Sequence, residues 1–78
     1  MDKRERIIKV IREVSRKDVR PAADESLFDS GMLDSFVLAD LLAALEKEFG
    51  VKIPDADLNP HKFDSLSQIE EYLASRGA

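Results

Sequence analysis

Ser35 is the residue of this chain whose type and position could do chemistry. It belongs to the run Gly31-Met32-Leu33-Asp34-Ser35-Phe36, and a leucine-rich stretch of helical period follows it. A helix beginning at residue 35 would leave unpaired backbone N–H groups there and a positive dipole end of about half a charge. Such an end accommodates a phosphate. A hydroxyl at the first helical position, pointing out of the surface, is a natural attachment point for a phosphodiester. Asp34 is expected to cap the same helix, its carboxylate accepting from first-turn N–H groups. Asp-Ser pairs are ordinary at helix starts, and most are caps and nothing more. The context of the pair has to decide.

The other polar clusters carry less. Asp55-Ala56-Asp57-Leu58-Asn59 imitates the opening of a calcium loop. The sixth position of that loop needs glycine and has Pro60, and the twelfth needs glutamate and has Leu66. A calcium site of that type is rejected. His61 is the single histidine, which cannot build a multi-histidine metal centre, and no nearby serine or cysteine suggests a relay. It reads as a solvent-facing residue, and no metal site is expected.

The elements that must hold Ser35 are helical. Residues 3–16 read as an amphipathic helix with Ile7, Ile8, Ile11 and Val14 on one stripe, Asp2 at its start and Pro21 beyond its end. Residues 17–34 form a long connection, a length that hints at function. Leu27, Phe28, Met32 and Leu33 are expected to pin it to the core, and Gly31 to let it turn. Residues 35–49 read as the strongest helix, burying Leu38, Leu41, Leu42, Leu45 and Phe49 and stopping at Gly50. Val51–Pro54 is a short extended link. Asn59-Pro60 predicts a short helical turn over residues 60–63, with Leu58 and Phe63 turned inward. Ser65 and Gln68 form a capping box that opens a last helix over 66–75, burying Leu66, Ile69, Tyr72 and Leu73. The expected fold is all-α, a small antiparallel four-helix bundle of three main helices and one short one, spanning residues 1–78 as a single domain.

Composition narrows the function classes. With 78 residues the core is thin and leaves little room for a catalytic cleft. Cysteine is absent, so neither disulfides nor thiolate metal sites staple the chain. No apolar run approaches the roughly 18–20 residues of a membrane span, and no signal peptide is visible, so a soluble cytoplasmic monomer is the expectation. Residues 1–20 hold eight Lys or Arg against four acids, while the remainder holds four against twelve. An acidic body argues against nucleic acid as a partner. The basic face of the first helix, interleaved with Glu5 and Glu13, reads as a solvated face with local ion pairs.

The run Gly31-Met32-Leu33-Asp34-Ser35-Phe36, the helix after it and the tail Glu46-Lys47-Glu48-Phe49-Gly50-Val51-Lys52-Ile53-Pro54 resemble the acyl carrier proteins. The resemblance extends over essentially the whole chain. It implies a non-catalytic carrier on which Ser35 bears a covalent phosphopantetheine, added from coenzyme A by a phosphopantetheinyl transferase, with Asp34 as its acidic neighbour. The arm would end in a thiol that holds an acyl or aminoacyl group as a thioester. Acyl-loading and acyl-processing enzymes would be the further partners, in fatty-acid, polyketide or related biosynthesis. Fatty-acid carriers commonly have an acid just after the motif's hydrophobe, where this chain has Val37, and they carry a densely acidic helix face. Here the expected docking face is Phe36, Val37, Asp40, Ala43 and Lys47, with Ala44 beside it, mixed and partly apolar. That pattern looks closer to stand-alone carriers of specialised pathways, including D-alanyl and peptidyl carriers. The competing reading is a helical interaction module that uses the Phe36–Lys47 face and has no prosthetic group.

Overall fold

Asp2 stands just before the first apolar-periodic residues, and there it caps α1 (Lys3–Ser15), its Oδ1 accepting from the Glu5 N–H at 2.9 Å. In the computed structural model, which describes residues 2–78, α1 ends at Arg16 in the left-handed conformation, φ 58°. The Arg16 N–H donates to the Arg12 carbonyl at 2.9 Å, closing the last turn. Ile7, Ile8, Val10 and Ile11 are buried. Val10 had not been placed on the stripe, yet it lies three residues after Ile7 and shares its face. Val14 packs only at the edge of the core.

α2 spans Leu38–Phe49, three residues shorter at its start than the sequence predicts. Residues 35–37 form a turn instead. Asp34 Oδ1 accepts from the Phe36 N–H at 2.9 Å and the Val37 N–H at 3.2 Å. The Asp34 carbonyl takes a bond from the same Val37 N–H, at 3.2 Å, closing a four-residue β-turn rather than an α-helical ring. This local side-chain-to-backbone pairing competes with the helix, and Val37 settles at φ −92°, ψ −1° as the residue from which α2 starts. At the far end Gly50 adopts φ 66°, a left-handed cap that suits glycine, and its N–H donates to the Glu46 carbonyl at 2.8 Å. The Glu46 carboxylate then accepts from the Ile53 N–H at 2.8 Å and folds the outgoing chain back along the helix.

α1 and α2 run antiparallel. Arg6, near the start of α1, reaches Glu48, near the end of α2, with Nε 2.9 Å from the carboxylate and NH2 2.6 Å from the carbonyl. The same guanidinium lies 4.4 Å above the centre of the Phe49 ring. α3 (Leu66–Ser75) packs on α1 and buries Leu66, Ile69 and Leu73. Ser65 Oγ accepts from the Gln68 N–H at 3.2 Å, as a capping box requires, but Gln68 Oε1 reaches one residue further back, to the Asp64 N–H at 2.9 Å.

The expected fourth helix is a single 3-10 turn, Pro60–Lys62, with Asn59 Oδ1 accepting from the His61 N–H. A second 3-10 turn, Asp55–Asp57, occupies the segment read above as a false calcium loop. Phe63 is fully buried, as expected, but Leu58 is 47% exposed. The two turns flank Leu58 and aim the chain so that Phe63 alone enters the core. Tyr72 is half-buried rather than buried, with its ring 4.8 Å from that of Phe63 and its hydroxyl donating to Asp57 Oδ2 at 2.5 Å. Its polar tip needs that partner at the surface. The described residues contain three α-helices, two 3-10 turns and no strand, so the fold is the expected all-α bundle.

Candidate functional site

Ser35 is exposed at the turn that feeds α2. The hydrogen bonds that shape this turn are made by Asp34, so the Ser35 side chain is not committed to holding it. The amides of Phe36 and Val37 are taken by Asp34, which corrects the sequence reading in one respect. The first amides after the serine are not free to receive a phosphate. The dipole of α2 begins at Leu38, and its influence falls off within a turn of the helix end. What remains at Ser35 is an accessible hydroxyl with room around it.

That room is a groove of about 500 Å³ lined by Phe28, Asp29, Gly31, Leu33, Asp34, Ser35, Pro60, His61 and Asp64. It lies between the connection that precedes α2 and the turn that precedes α3. Phe28, Leu33 and Pro60 give it apolar walls, while the Asp34 carboxylate is occupied by the amides that follow it and the Asp64 carboxylate by Ser26 and Phe28. His61 is exposed, as expected, and lines this groove, which the sequence reading had not foreseen. An exposed nucleophilic hydroxyl beside a roomy, partly apolar groove fits a covalently attached, flexible arm. Among the described residues no group of three or more His, Cys, Asp or Glu side chains could hold a metal ion.

The proposed docking residues divide. Phe36 is 91% exposed, and Asp40, Ala43 and Lys47 are exposed along α2. Val37 and Ala44 instead pack partly against the core. Leu58 joins the exposed set through a shallow groove it lines with Ala39 and Ala43. Its place in the sequence, among turn formers, gave no sign of this. The basic start of the chain is largely paired: Arg4 with Glu70 at 2.7 Å, Arg6 and Lys9 with Glu48, Arg12 with Asp18, and Arg20 with Glu5. A surface so neutralised offers little to a polyanion.

Comparison with known proteins adds the class. The family described as "Phosphopantetheine attachment site" matches residues 5–73. The D-alanyl carrier protein of Streptococcus sanguinis (strain SK36) is 32% identical over 71 residues, covering 91% of this chain and 90% of the relative. That of Streptococcus suis (strain 05ZYH33) is 33% identical over 69 residues, covering 88% and 87%. The D-alanyl carrier protein of Lactobacillus acidophilus (strain ATCC 700396 / NCK56 / N2 / NCFM) is 25% identical over the same length. The chain belongs to the phosphopantetheine-binding acyl carrier family. It is therefore a non-catalytic carrier whose prosthetic group is a covalently held phosphopantetheine. Carriers of this kind work with a phosphopantetheinyl transferase and acyl-handling enzymes. Membership displaces the reading of an interaction module without a prosthetic group. Among the described residues no helix is long and apolar enough to cross a membrane.

Proposed function

We propose that residues 1–78 act as one carrier domain, that Ser35 is the attachment residue, and that the cargo is aminoacyl, of the D-alanyl class. The observation that carries the attachment site is the exposed Ser35 hydroxyl, left free by the Asp34 turn and opening onto the groove. The cargo assignment is supported by the D-alanyl carrier proteins that align over nearly the whole chain. When bound, phosphopantetheine supplies the thiol that takes an acyl group. The chain's own residues present the attachment oxygen, hold its turn and offer a docking face. On that face Phe36, Ala43 and Leu58 are the apolar anchors, and Asp40 and Lys47 the charged rim.

Incubation with coenzyme A and a phosphopantetheinyl transferase should add one phosphopantetheine by intact mass, with peptide mapping placing it on Ser35. Ser35→Ala should keep the fold and show no gain. A gain on Ser35→Ala refutes the site. Mass analysis of the species isolated from the native host should show alanine on the arm. A fatty acyl species there refutes the aminoacyl assignment.

A further inference from the structure

The connection between α1 and α2 carries Ser35 at its end, yet between Arg16 and Leu38 it contains no helix of its own. A segment of this kind loses conformational freedom at roughly 1–2 kcal/mol per residue fixed, so something outside it has to hold it. Asp64, the residue before the cap of α3, holds its middle, while the Ser67 N–H on the Ala23 carbonyl and the burial of Leu27 and Leu33 hold it as well. The Asp64 carboxylate accepts from Ser26 Oγ at 2.8 and 2.9 Å and from the Phe28 N–H at 3.2 Å. Its carbonyl accepts from the Leu27 N–H at 2.6 Å. Ser26 Oγ in turn accepts from the Asp29 N–H at 3.0 Å. The grip is passed on: the Leu27 carbonyl accepts from the Leu33 N–H at 2.9 Å, and Leu33 is buried two residues before Ser35. A backbone path thus runs from Asp64 through Leu27 to Leu33, and the Asp64 carboxylate braces it through Ser26 and Phe28, the two neighbours of Leu27.

We infer that Asp64, with Ser26, is a positioning residue for the modification of Ser35. The inference rests on Ser35 being the attachment site. Asp64 lines the same groove as Ser35 but makes no hydrogen bond to its hydroxyl, and it lies outside α2. It fixes the direction in which the serine leaves the connection. Misplacement of a reacting atom by about 1 Å from a change remote from the chemistry can cost as much as 100-fold in rate. Loss of the grip should therefore lower turnover while leaving recognition of α2 intact.

The test is steady-state modification by a phosphopantetheinyl transferase, with the carrier as the varied substrate and peptide mapping of the product. Asp64→Ala should lower kcat about tenfold and leave KM within about twofold. Ser26→Ala should lower kcat in the same direction by less. Asp64→Asn, which keeps one carbonyl acceptor, should recover part of the loss. A kcat within twofold of wild type for both Asp64→Ala and Ser26→Ala, with Ser35 still the modified residue, overturns the inference alone. So does a rise in KM with kcat unchanged. Modification mapped to another residue instead overturns the attachment site. If Asp64→Ala does not fold, Ser26→Ala and Asp64→Asn carry the test. A kcat loss in them, measured at least 15 °C below their melting temperatures, supports positioning. Wild-type kinetics in both refutes it.

Discussion

Phe36 keeps 91% of its surface in water although it follows the serine directly. Its removal should cost the isolated protein little, because surface substitutions away from caps and cores usually fall within about 0.5 kcal/mol. Truncating an apolar anchor in an interface typically costs more than about 1–2 kcal/mol. Phe36→Ala should accordingly keep the melting temperature of wild type within about 4 °C and weaken transfer to acyl-handling enzymes by about tenfold at all salt concentrations. A rim charge acts mainly on association rate, so with Asp40 in the proposed rim, Asp40→Lys should slow transfer at low salt and recover as salt rises. Thermal melts and transfer rates over a salt series check both, and identical salt responses would remove the distinction. Individual residues differed in how openly the sequence announced them. Ser35 and Phe36 stand in a contiguous motif beside a strong helical pattern, so the exposure of both could be read. Leu58 could not, because a leucine among turn formers looks like a core anchor until the two flanking turns show where it points. Asp64 could not either. Its partners lie 36 to 38 residues away, and no local pattern marks that pairing.

Helices were legible wherever an apolar stripe met a capping residue, as at Asp2 with α1 and Ser65 with α3. The start of α2 was misread because two local choices compete there. Asp34 can cap a helix or close a turn on the same amides, and its bonds to the Phe36 and Val37 amides close the turn. The end of α1 shows a second local conflict. Arg16 holds φ 58°, a conformation that costs a side-chain-bearing residue roughly 1–2 kcal/mol. Glycine would relieve this, while its freer unfolded chain takes back roughly 0.4–1 kcal/mol. Arg16→Gly should therefore stabilise the protein by about 0.5–1 kcal/mol net, a rise of roughly 2–8 °C in melting temperature. A thermal melt followed by circular dichroism reads this directly. A lower melting temperature would mean that the Arg16 side chain contributes more than its backbone costs.

Across the molecule, carboxylates tie remote segments together, and their ionisation links the fold to pH. The hydrogen bond from Arg6 holds Glu48 below its ordinary pKa, and this pair joins α1 to α2. Hydrogen bonds from Lys62, first, and from Tyr72 hold Asp57 below its own, and this trio joins both 3-10 turns to α3. A carboxylate with a lowered folded pKa stabilises above its unfolded pKa, near 4, and that stability is lost as pH falls through the folded value. The pair and the trio therefore make the fold sensitive to acid below about pH 4. Tyr72 has the opposite sign. Burial, first, and the bond to Asp57 raise its pKa above 10.0, so its contribution is full below pH 10 and is lost as pH rises through the raised value. The chain has one tyrosine and no tryptophan, so phenolate absorbance titrates Tyr72 alone. The wild-type midpoint should lie above 10.0. Asp57→Asn removes the negative charge that disfavours the phenolate but leaves the half-buried ring packed against Phe63. Because burial is the larger cause, the variant's midpoint should fall yet stay above 10.0, and its unfolding below about pH 4 should become less steep. An unchanged midpoint would assign the whole shift to burial. It would also remove Asp57 as the group that locks the two turns onto α3.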